Sequence, residues 1–80
     1  MAKTITYTNS IDLAKDIWLY SSKEDKEKLL ISMGYNTSWA ETKDIKELVS
    51  RGGGMVANSI KNVAQEYLNR SGGKVKITWK

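Results

Sequence analysis

The segment Lys74-Val75-Lys76-Ile77-Thr78-Trp79-Lys80 alternates between polar and apolar residues without a break. Val75, Ile77 and Trp79 fall on one side and Lys74, Lys76, Thr78 and Lys80 on the other, the period-two pattern of a half-buried strand. A strand by itself leaves its backbone N–H and C=O groups unpaired. The same period recurs at the opposite end of the chain in Lys3-Thr4-Ile5-Thr6-Tyr7-Thr8, where Ile5 and Tyr7 alternate with threonines. The two segments are therefore expected to pair with each other. Alternation does not distinguish a parallel from an antiparallel pairing.

Between them the period changes to that of helices. Asn9 and Ser10 offer an N-cap, and Leu13, Ala14, Ile17 and Trp18 then recur at helical spacing, with Asp12, Lys15 and Asp16 on the other side. Ser22 and Asp25 resemble a capping box ahead of a second helix with Leu29, Leu30 and Met33 on its apolar face and Gly34 at its end. Ser38-Trp39-Ala40-Glu41 has capping-box spacing and predicts the start of a third helix, carrying Ile45, Leu48 and Val49 and ending at Arg51. Val56, Ala57, Ile60, Val63, Ala64, Tyr67 and Leu68 form the apolar stripe of a fourth helix, from about Met55 to Arg70, before Ser71-Gly72-Gly73. The expected fold is α+β: three or four helices packed on a small two-stranded sheet formed by the N- and C-terminal strands.

The 80 residues (9.0 kDa) are read as a single small domain. Cysteine and histidine are both missing, so disulfides, thiolate metal sites and the commonest general base are excluded. Met1-Ala2-Lys3-Thr4 has no apolar core of a signal peptide, and no stretch approaches the ~20 apolar residues of a membrane helix. A cytoplasmic protein with no membrane contact is expected. Net charge is +4, unevenly spread. Residues 1–50 hold seven lysines against eight acids, while Arg51, Lys61, Arg70, Lys74, Lys76 and Lys80 face only Glu66 in the remainder. Such asymmetry points to an anionic partner.

Three other patterns bear on function. Gly52-Gly53-Gly54-Met55-Val56-Ala57 matches the spacing of a dinucleotide fingerprint, but helix precedes it and no acid stands twenty residues on, so that function is set aside. The glycines are expected to form a flexible hinge, or with Arg51 to hold one phosphate. The second and third helices have a helix-turn-helix outline, yet Glu41, Asp44 and Glu47 would line the reading helix with carboxylates that repel DNA. Tyr7, Trp18, Tyr67 and Trp79 sit on apolar stripes and are assigned to the core. Tyr35 and Trp39 flank a polar loop, where aromatics serve as interface anchors.

No enzymatic activity and no cofactor are expected: the acid pairs Asp12/Asp16 and Glu41/Asp44 are interleaved with lysines, as on solvated helix faces. The primary expectation is a binding protein whose basic residues Arg51, Lys61, Arg70, Lys74, Lys76 and Lys80 contact nucleic acid or an acidic protein surface. The alternative is a protein–protein adaptor or inhibitor, of the small accessory type carried by phages and mobile elements, acting through Tyr35, Trp39, Glu41, Asp44 and Glu47. A two-stranded sheet also keeps free edges, through which a homodimer can form.

Overall fold

The computed structural model describes residues 2–79. In chain order they form strand β1 (Lys3–Tyr7), helices α1 (Ser10–Tyr20) and α2 (Lys23–Met33), a 3-10 turn (Thr37–Glu41), helices α3 (Ile45–Ser50) and α4 (Gly54–Arg70), and strand β2 (Val75–Trp79). The fold is α+β. β1 and β2 pair antiparallel, with Lys3 opposite Trp79, Ile5 opposite Ile77 and Tyr7 opposite Val75. This register places the apolar residues of both strands on one face, turned to the helices. Among the described residues no helix is long and apolar enough to cross a membrane.

α1 and α4 make the largest helix–helix contact, and the core lies around it. Leu13, Trp18, Leu30, Leu48 and Ile60 are fully buried, and Val56, Ala64 and Leu68 extend the row along α4 at every fourth residue. Full burial of a side chain such as Leu or Ile contributes about 1.5–3 kcal/mol. The helix starts are capped as their sequences dictate. The side chains of Asn9 and Ser22 accept hydrogen bonds from the backbone N–H groups of Asp12 and Asp25, at 2.9 and 3.1 Å. Gly34 ends α2 at a φ of 81°, in the left-handed region that favours glycine.

Four expectations need correction. The Ser38 capping box does not start a helix. Asn36 accepts from the N–H of Ser38 and opens only the 3-10 turn, while Asp44 accepts from the N–H of Glu47 and starts α3. Tyr67 is half exposed instead of buried, because it stands at the margin of the α4 stripe. Asp16 turns partly inward, drawn by the Tyr7 hydroxyl.

The fourth correction concerns the glycine run, which is a close-packed corner. Gly52, at φ 91°, and Gly53 donate their N–H groups to the carbonyls of Val49 and Leu48 and close α3. A Cβ on the buried Gly53 would lie 2.6 Å from Leu48 Cδ1 and 2.8 Å from the Leu48 carbonyl oxygen. The side chain can give way, but a carbonyl already bonded in the corner cannot. Gly53→Ala is expected to cost about 1–3 kcal/mol by overpacking. Gly54→Ala, which meets nothing within 4 Å, is expected to be neutral or stabilising by under about 1 kcal/mol. Thermal unfolding of the two variants, followed by circular dichroism, checks the contrast.

Candidate functional site

The outward face of the sheet is built by the ladder itself. Thr4 stands opposite Thr78 and Thr6 opposite Lys76, and all four are exposed. The Thr4 and Thr78 hydroxyl oxygens are 2.9 Å apart, in hydrogen-bond contact across the strands. Lys74, immediately before β2, is exposed as well. Neither strand contains an acid. Among the described residues neither Lys74 nor Lys76 takes part in an ion pair. The result is a platform of hydroxyls and ammonium groups open to solvent.

The inward face holds that platform in place. Trp79 Nε1 donates to the Tyr7 hydroxyl at 2.7 Å, and the Tyr7 hydroxyl donates to the Asp16 carboxylate. The Trp79 ring meets Tyr7 edge-on and stacks on Tyr20 of α1, with ring centres 6.4 and 5.3 Å apart. Both strands are thus tied to one helix through polar and aromatic contacts. Burial and the hydrogen bond to Asp16 push the Tyr7 hydroxyl up from 10.0 to about 12, with the Trp79 N–H acting in the opposite sense.

The five basic residues of this set that are described do not form one patch. Lys74 and Lys76 belong to the sheet face, and Arg70 is the exposed last residue of α4. Arg51 is engaged with Glu47 at 3.2 Å. Lys61 lines a groove beside Ile11 and Lys15. Lys80 lies outside the described residues.

The acidic set is also dispersed. Glu41 belongs to the 3-10 turn, Asp44 caps α3, and Glu47 pairs with Arg51, so the three carboxylates do not share a helix face as their spacing predicts. Tyr35 and Trp39 are half-buried against the core, and the Tyr35 hydroxyl is 2.9 Å from Ser59 Oγ on α4.

The cause of this rearrangement is a buried polar unit that the apolar pattern conceals. Trp18 is fully buried, and its Nε1 donates to Thr42 Oγ1 at 2.9 Å. Thr42 Oγ1 in turn donates to the Trp39 carbonyl at 2.7 Å. Lys26 is buried with its Nζ donating to the carbonyls of Thr42 and Lys43, at 2.9 and 3.3 Å, and lies 5.3 Å from the centre of the Trp18 ring. The Lys26 ammonium thereby satisfies carbonyls of the non-helical link between the 3-10 turn and α3. Burial holds the Lys26 ammonium below its ordinary 10.5, against the opposing pull of Asp44 and Glu47. Lys26 precedes Leu30 by four and Met33 by seven residues, so helical spacing already put it on the buried stripe.

No group of three or more acidic side chains that could hold a metal ion occurs among the described residues. Comparison with protein-family models, with curated proteins and with solved structures returns no match.

Two consequences are measurable. Lys26→Met leaves the Thr42 carbonyl without its buried donor and is expected to cost about 1–3 kcal/mol in chemical denaturation. Tyr7 contributes stability that is complete below pH 10, the value in the unfolded chain, and lost as pH rises through about 12. A tyrosinate absorbance step near pH 12 is expected in the native protein and should vanish in Tyr7→Phe.

Proposed function

We propose that this chain is a non-enzymatic binding protein whose exposed sheet face holds a nucleic acid by its phosphates. The observation that carries the reading is the acid-free outward face, on which Thr4, Thr6, Lys76 and Thr78 stand together with Lys74 beside them. Lysine ammonium groups neutralise phosphates and release counterions, and threonine hydroxyls hydrogen-bond phosphate oxygens. The strands are held rigidly from below by Tyr7, Trp79 and Tyr20, which suits a surface that must keep its spacing on binding. Lysine is a point charge that positions a duplex without reading its bases, so binding is expected to be weakly sequence-dependent. Arg70, exposed at the end of α4, adds further positive charge, while Lys61 lines a helical groove and Arg51 pairs with Glu47. A nucleic-acid partner accords with a cytoplasmic protein.

Fluorescence anisotropy with a labelled mixed-sequence duplex between 50 and 200 mM salt tests this directly. Three or four phosphate contacts predict a log–log salt slope of about −3. Lys74→Glu combined with Lys76→Glu and Lys80→Glu should abolish binding, and Lys28→Glu on α2 should leave it unchanged. Affinity that survives the triple change, or a slope near zero, overturns the reading.

A further inference from the structure

The α1, α3 and α4 helices do not close completely on one another. Ile11, Ala14 and Lys15 of α1, Ile45 of α3, and Gly54, Ala57, Asn58 and Lys61 of α4 line one hollow. Lys15, Asp16, Leu19, Asp44, Ile45 and Lys46 line a second, of about 430 Å³. The two share Lys15 and Ile45 and form one open groove. Its floor is apolar: Ile11 is 55% exposed and Leu19 43% exposed, with Ala14, Ile45 and Ala57 between them. From Ile11 to Leu19 the α1 wall runs about 12 Å, roughly two turns of helix at 1.5 Å per residue.

The rim is charged with one sign in excess. Lys15, Lys46 and Lys61 are exposed and belong to no ion pair among the described residues. The two aspartates on the lining are already engaged: Asp16 accepts from the Tyr7 hydroxyl, and Asp44 caps α3 through the Glu47 N–H. An apolar floor between three unpartnered ammonium groups is complementary to apolar side chains flanked by carboxylates.

We propose that this groove docks a short acidic amphipathic helix of another protein. Apolar side chains at i, i+3 or i+4, and i+7 of that helix would sit over Ile11, Leu19 and Ile45, and its glutamates or aspartates would meet Lys15, Lys46 and Lys61. A second copy of this chain is a poor occupant. It carries net charge +4, and the acids on the exposed part of α2 are offset by Lys23 and Lys28. A nucleic acid would leave the apolar floor uncovered. The groove is formed by helices and the phosphate-binding face by strands, so one protein can hold both partners.

The test is selection from a randomised library of displayed helical peptides against the whole protein. Enriched sequences are expected to be net acidic with apolar residues at helical spacing. Their affinity should fall about tenfold or more at low salt in Lys15→Glu combined with Lys61→Glu, because two rim attractions become repulsions. Ile11→Glu, at a half-exposed position that leaves the core intact, should abolish binding. Lys74→Glu with Lys76→Glu should leave peptide binding unchanged, which separates this site from the nucleic-acid reading. The proposal is overturned by neutral or basic winners, by winners indifferent to the groove variants, by self-association of the chain through the groove, or by no enrichment at all.

Discussion

Every other element of this fold is arranged around the pairing of two strands whose partner residues, such as Ile5 and Ile77, lie 72 positions apart in sequence. Closing so long a loop costs entropy that grows only logarithmically with length, so separation itself is no obstacle. What the pairing needs is support, because an isolated two-stranded ribbon is marginal in water. The helices supply it. Tyr7 reaches Asp16, Trp79 stacks on Tyr20, and the buried core beneath provides the apolar surface against which Ile5, Val75 and Ile77 pack. One face of the ribbon is consumed by the core, and the other is left to solvent with its threonines and lysines. The surface proposed to bind is the by-product of how the core is closed.

A second constraint shapes the middle of the chain. Trp18 brings a large apolar ring into the core together with one N–H that needs an acceptor. Thr42 provides it, and Lys26 satisfies the carbonyls that the local distortion frees. Among the described residues no buried side-chain nitrogen or oxygen is left without a partner. This unit fixes α2 against the segment that follows it. It also shortens α3 to Ile45–Ser50 and moves Glu41 off the helix that the capping pattern predicts.

The division between what was legible and what was not follows from these two constraints. Period-two alternation at both ends and the broad stripe of α4 are read directly from the residues, because each reflects burial on one side of a regular element. Cap chemistry at Asn9, Ser22 and Gly34 is equally local and equally readable. The start of α3 is not, because two capping signals compete there and the winner is chosen by Trp18, twenty-four residues upstream of Thr42. The strand lysines and threonines of the candidate surface were visible as an outward face, but antiparallel register was needed to set Thr6 beside Lys76 and Thr4 beside Thr78. Charge counting grouped Lys61 and Arg51 with them, and only the packing shows that one lines a helical groove and the other faces Glu47. The groove was invisible for a related reason: Ile11 and Leu19 lie outside the main stripe of α1, and nothing local marks them as the wall of a hollow.

The outward sheet face is the proposed contact surface. Two-dimensional NMR of the labelled protein, titrated with a short mixed-sequence duplex at low salt, tests it most directly. The largest amide shifts are expected on Thr4, Thr6, Lys74, Lys76 and Thr78, with α2 and the 3-10 turn unmoved. Shifts centred on α2, the 3-10 turn or α3, or a spectrum unchanged by duplex, would contradict it.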